Sequence, residues 1–310
     1  MRRTATALAA LALAAAAPAL AEPNVGEAAQ AGDQDVVVTG QRLTGEQLHK
    51  EAAEFVKRIG VASGHKPAAR WAVPVCPAAY GIVDWQAAMV VAQVRDIAKQ
   101  AGIAVARKGC TPNLGVMFSA DGSAAARDMV KRQPARFEEV GPSARQRLLR
   151  GDAPIRWWYS TEQVGKDGRS GGSDSPIGVA VCGSAGFAAI GSNGRAKFLQ
   201  RYNSGIVSTE TIRAIESATV VIDVNRTKGL TMETVTNYAA LVGLAEISPL
   251  DPPPGRSILA LFTPDPGPNR DLTEWDMKFL KALYRLPLDR EARMQRGLLT
   301  QELVKDKTGG

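Results

Sequence analysis

"TIRAIESATVVIDVN", Thr211–Asn225, and "TVTNYAALVGLAEI", Thr234–Ile247, stand one short loop apart, and together they decide the fold. In the first, the β-branched and apolar run Thr219–Val224 suits a central position in a sheet. In the second, Val235, Tyr238, Ala239, Leu241, Val242 and Ala245 make a wide apolar stripe at helical spacing, the mark of a buried helix. Thr231 is placed to cap that helix, with Glu233 near its positive end. A strand and a helix of this kind call for a mixed sheet packed with helices, and α+β is the expected class.

Outward from this pair, the chain continues as short strands and helices. "TGEQLHKEAAEFVKRIG" begins with Thr44 and Gln47 at capping-box spacing, and Leu48, Ala52, Phe55 and Ile59 follow a helical period. "WAVPVC", ending at Cys76, reads as a strand, and "DWQAAMVVAQVRDIAKQAG" as a helix stopped by Gly102. "IAVARKGC" and "NLGVMFSADG" read as two more strands. Ser123–Arg150 is polar, basic and helical, broken at Gly141–Pro142. In the strand "IRWWYSTEQV" three adjacent aromatics cannot all face one side of a pleat. Trp157, Trp158 and Tyr159 therefore divide between core and a candidate binding surface. Beyond the loop "GKDGRSGGSDSPIG", weak β segments run to Tyr202. After the Pro-rich "SPLDPPPG" come a short strand, "SILALFT", and a helix, "TEWDMKFLKALYRL", capped by Thr273 and Asp276. A basic amphipathic helix from Arg290 to about Val304 closes the chain.

The ends place the protein. "MRRTATALAALALAAAAPALAEP" has paired arginines, an apolar run shorter than the roughly 20 residues of a spanning helix, and the small-x-small site Ala19–Leu20–Ala21. It reads as a signal peptide cleaved near Ala21, which expects a periplasmic or secreted protein with no membrane span in the mature chain. The formal charge is +7, two units of it in the signal. Glu22, Glu27, Asp33 and Asp35 make the next stretch an acidic leader with too little to bury. Four segments result: signal 1–21, leader 22–43, an N-terminal α/β subdomain 44–150 and a C-terminal α+β subdomain 151–310. "DVVVTGQR", Asp35–Arg42, resembles the segment ahead of the plug domain in TonB-dependent outer-membrane receptors. That resemblance implies contact with envelope machinery.

Of three cysteines, Cys76 and Cys110 end strands that flank one helix and are the expected disulfide in an oxidising compartment. Cys182 is left over, as a small buried hydrophobe.

Zinc peptidases of the zincin class carry H-E-x-x-H on a helix, often followed by x-x-G-L. On that frame Thr236 and Ala240 stand at the histidine positions, Asn237 at the glutamate, and Gly243–Leu244 at the exit. The segments "VVIDVNRTKGLTMETVTNYAALVGLAEI", "SILALF" and "TEWDMKFLKALYRLP" resemble an uncharacterised family of secreted proteobacterial proteins that look like degenerate zincins. "WAVPVCP", "VRDIAKQAGI" and "GCTPNLGVMFSADG" are similar to the amino-terminal part of such proteins. The resemblance implies a zincin-like C-terminal half without metal and carries over no functional residue. The chain's two histidines, His49 and His65, lie far upstream, so neither a metal nor a cofactor is expected.

Other matches are weaker. "GRSGG", Gly168–Gly172, fits G-x-S-x-G without a strand before it or a histidine after it. "SGHK", Ser63–Lys66, fits S-x-x-K without companion motifs. Asp121, Asp223, Glu233 and Glu246 are candidate acid–base carboxylates. Phosphate-binding loops are missing, and no motif points to nucleic acid. The expected function is a non-catalytic envelope binding or interaction protein, a pseudoenzyme whose partner is an envelope protein or an anionic envelope component. The alternatives are a hydrolase using carboxylates or a serine, and an accessory subunit of an envelope complex.

Overall fold

Thirteen consecutive residues, Thr211–Asp223, form the longest strand, and the main sheet is arranged around it. The computed structural model describes residues 45–137, 140–165, 211–248, 256–264, 266 and 269–305, with the backbone of 188–190 and 196–198. In chain order these form α1 (Gly45–Arg58), β1 (Ala69–Trp71), β2 (Pro77–Tyr80), α2 (Asp84–Gln100), β3 (Leu114–Ser119) and α3 (Gly122–Arg132). Then come α4 (Pro142–Arg150), β4 (Ile155–Gly165), β5 (Ala188–Ile190), β6 (Ala196–Phe198) and β7 (Thr211–Asp223). Helices α5 (Met232–Leu244), α6 (Glu274–Arg285) and α7 (Ala292–Val304) complete the set. The signal, the leader with Thr44, the "GRSGG" loop and Cys182 lie outside the described residues.

β7 pairs antiparallel with β4 along nearly its whole length. On its other side it pairs parallel with β1 at Arg213–Ile215 and with β3 at Ala218–Asp223. β2 lies parallel outside β3, joined to it through α2. β5 and β6 form a separate antiparallel pair. The sheet is thus mixed and packed with helices, as expected, but largely parallel. Helices join β2 to β3 and β3 to β4, which moves the class from α+β toward α/β. Residues 43–310 form one compact unit, and strands from before and after residue 150 alternate within this one sheet.

Burial on both faces accounts for the unbroken apolar run of β7. Val220 and Ile222 face a large core shared with Phe55 of α1, Val94 of α2, Leu241 of α5, Phe279 of α6 and Leu299 of α7. Val221 faces a smaller core with Ala126 of α3, Phe137, Leu148 of α4 and Trp158. Each such fully buried Val or Ile contributes about 1.5–3 kcal/mol.

α5 is buried at every position from Thr234 to Leu244, and Thr231 caps it by accepting from Thr234 N–H. Its Gly243 has a packing role, since a Cβ there would lie 2.8 Å from Leu114 Cδ1 on β3. The disulfide Cys76–Cys110 is formed, with its Cα atoms 6.1 Å apart.

Three predicted strands are not strands. "WAVPVC" gives β1 only Trp71 and otherwise contributes one bridge, at Val75, because Pro74 has no N–H for a ladder. "IAVARKGC" contributes a single bridge, Val105 to Val75, because its polar Arg107 and Lys108 are exposed and Gly109 turns the chain at φ +78°. "SILALFT" is a 3-10 helix, Ile258–Phe262. Its turn is fixed by Ser257 Oγ accepting from Leu259 N–H and the Asp276 carboxylate accepting from Ile258 N–H. A short apolar run has no period that separates the two outcomes.

Candidate binding cleft

β4 is the antiparallel edge of the sheet, and among the described residues no strand pairs with its outer side. Asp223 N–H donates to Pro154 C=O at 2.9 Å, which sets the hydrogen-bonding phase of the pair. In an antiparallel ladder that phase alternates. Arg156 and Trp158 therefore turn their main-chain groups toward β7, and Ile155, Trp157 and Tyr159 turn theirs outward. Those outward groups border a cleft of about 400 Å³. One wall is Val140, Ala144, Arg147 and Leu148, around α4; the other is Lys66 with Glu246, Ile247 and Ser248, just past α5.

The second wall is held in place by a close approach. Gly60, at φ +71°, packs against Ser248, where a Cβ would fall 2.1 Å from the Ser248 carbonyl oxygen. Ser248 N–H donates to Ile59 C=O at 2.9 Å. A glycine is required there on both counts.

All three expected aromatics reach the cleft, with different duties. Tyr159 is buried and closes the end of α5. Its Oη lies 2.5 and 2.8 Å from the carbonyl oxygens of Val242 and Ala245, and it accepts from Ile247 N–H at 3.1 Å. The two carbonyls are groups a helix end leaves unpaired. Burial pushes the Tyr159 phenol well above its ordinary value. Trp158 is buried on the opposite face, its ring 4.6 Å from that of Phe137, and its Nε1–H has no acceptor among the described residues. Trp157 is half-buried. Its Nε1–H donates to Ile247 C=O at 2.7 Å and its ring meets Tyr238 edge-on at 6.0 Å.

The charges at the cleft belong to a built cluster. Arg213, buried on β7, donates to both oxygens of Glu246 at 2.6 and 3.0 Å. It also donates to Pro67 C=O at 2.8 Å and Thr161 Oγ1 at 2.7 Å. Lys66 Nζ adds a second cation 2.9 Å from Glu246. Burial alone would raise the Glu246 carboxyl, but the Arg213 hydrogen bonds and the two positive charges outweigh it and hold the group below its usual range. On the other wall, buried Arg156 donates to the carbonyls of Leu148 (3.0 Å) and Ala153 (2.5 Å) and to that of Gly151, gathering the end of α4. Arg147 is exposed and, among the described residues, has no side-chain partner.

The remaining sequence candidates fall elsewhere. Thr236 and Ala240 are fully buried within the core face of α5, and Thr236 Oγ1 has no partner among the described residues. Asn237 accepts from Gln93 Nε2 at 2.6 Å and donates to Asp271 at 3.3 Å. None of the three lines the cleft. His49 and His65 are exposed, and among the described residues no group of three His, Cys, Asp or Glu is placed to hold a metal. Asp121 caps α3 through Ala124 N–H at 2.8 Å. Asp223 accepts from the N–H groups of Gly122, Asn225 and Arg226. Glu233 lies in the first turn of α5. Of the four candidate carboxylates only Glu246 reaches the cleft, and it is already paired. Lys66 of the S-x-x-K match is turned to Glu246, while its N–H closes a turn onto Ser63 C=O.

The Lys66–Glu246–Arg213 cluster and the α4 wall carry no motif that sequence reasoning could have found, because their members lie far apart in the chain. Among the described residues no helix is long and apolar enough to cross a membrane. Neither a protein-family model, nor a curated protein, nor a solved structure matches the chain.

Proposed function

We propose that this is a non-catalytic envelope binding protein, which takes an extended segment of a partner protein along the outer edge of β4. The observation that carries the reading is the unpaired side of β4 opening into an apolar cleft. An edge strand offers a ready row of main-chain donors and acceptors, and flanking pockets give side-chain selectivity. The disulfide is consistent with an oxidising compartment and with export of the chain. Hydrolysis by carboxylates draws less support, since Asp121, Asp223 and Glu246 are each engaged in hydrogen bonds that hold the fold. The zincin likeness belongs to this proposal too. Its support is the passage from β7 directly into α5, the Gly243–Leu244 exit, and Thr236, Asn237 and Ala240 where zinc ligands would stand.

Residue-resolved hydrogen exchange on the full chain tests the reading, with and without an excess of an alternating Val-Thr hexapeptide. The amides of Ile155, Trp157 and Tyr159 should gain protection, and those of Arg156 and Trp158 should be protected from the start. Unchanged exchange along β4 would remove the reading.

A further inference from the structure

The cleft has one charge sign to spare. Glu246 is answered in full by Arg213, which grips both its oxygens from a buried position. Lys66, whose side chain is 51 % exposed, is a second cation on the same carboxylate, which leaves that wall one positive charge in excess. Arg147 stands on the facing wall with no partner among the described residues. Beside the floor lies Trp158, 3 % exposed, whose Nε1–H donor has no acceptor among the described residues. A buried donor of this kind is rare in a folded protein and marks a place where an acceptor is due.

We infer that the cleft selects a strand carrying a carboxylate, on a side chain or at its C-terminus, seated between Lys66 and Arg147. The inference rests on the edge-strand reading and adds the chemistry of the segment. A carboxylate supplies acceptors only, which fits walls whose remaining charged groups, Lys66 and Arg147, are donors only. Apolar neighbours on the same strand meet Ile155, Trp157 and Leu148. A strand with a lysine at that place meets two like charges, and discrimination by such repulsion is as effective as attraction. Both cations are solvent-accessible, so the preference weakens as salt shortens the screening length to about 8 Å at physiological ionic strength.

The test uses the full chain and hexapeptides of alternating Val and Thr that differ at one central position, Glu, Gln or Lys, each as the free acid and as the amide. Titration by fluorescence anisotropy should rank the Glu peptide about tenfold tighter than the Gln amide, with the Lys amide weakest. Comparing acid with amide tells a C-terminal carboxylate from a side-chain one. Arg147→Gln and Lys66→Gln, both at exposed positions, should each shrink the Glu-over-Gln preference roughly threefold. Binding of all the peptides within twofold of one another, unmoved by either substitution, overturns the anion selection. In that case protection of the Ile155, Trp157 and Tyr159 amides by the Gln amide keeps the edge-strand reading standing. Failure of every peptide to bind or protect β4 removes both. Binding of anionic phospholipid vesicles in place of any peptide also overturns the inference.

Discussion

Glu246 shows how far one residue's role depends on partners remote in sequence. Its neighbours in the chain are apolar; its charge is set by Arg213 from β7 and Lys66 from the loop before β1. Because the folded carboxyl is held low, the unfolded chain, with an ordinary value of about 4.3, binds a proton that the folded chain does not. The stabilisation is therefore present above about pH 4.3 and is lost as pH falls through the lowered folded value. Glu246→Gln should cost about 3 kcal/mol at neutral pH, the low end for breaking a buried pair, because Arg213 keeps Pro67 and Thr161. Urea unfolding at a series of pH values checks this, and the gap between wild type and variant should close toward pH 3. Thr273 and Asp276 make the opposite case. Their three-residue spacing was legible in the sequence, and the capping box is formed. The further reach of Asp276 to Ser257 and Ile258 was not legible, since no local rule joins residues 19 and 18 positions apart.

Among the elements, α5 and β7 were the most legible, because burial on every side leaves an unmistakable apolar run. Gly243 read as a helix exit, whereas in the fold it lets α5 settle on Leu114 of β3. Gly243→Ala should destabilise the protein by about 1–3 kcal/mol through overpacking. Gly297→Ala, in α7 with nothing within 4 Å of the new Cβ, should stabilise it by about 0.5–1 kcal/mol through helix propensity. Thermal unfolding of the two variants should shift in opposite directions. β4 was legible as a strand, and so was the split of its aromatics between two faces, but not its place at an edge. That place depends on β7 offering one side to β1 and β3 and the other to β4.

For the whole molecule, the disulfide is the clearest long-range tie that the sequence announced. It joins residues 34 apart across α2. Replacing Cys76 and Cys110 together by Ala should lower stability by about 3–4 kcal/mol in the chain-entropy account, measured by urea unfolding of the full chain. The spare positive charge of the sequence was visible as a total, yet its meeting with an open strand edge was not. Lys66, Arg147 and Trp157 converge only when α4 and the segment after α5 flank β4 from its two faces.

The sequence by itself determined what local physics can write: the buried strand and helix, the caps at Thr231 and Thr273, and the pairing of Cys76 with Cys110. Period, capping spacing and apolar content act within a few residues, so a single chain displays them. Tertiary structure alone decided that the sheet is largely parallel, that "SILALFT" coils into a 3-10 turn, and that β4 borders a cleft with cations on both walls. Those outcomes depend on which strands meet and which side chains then share a dielectric, and both are settled by contacts between residues tens to hundreds of positions apart.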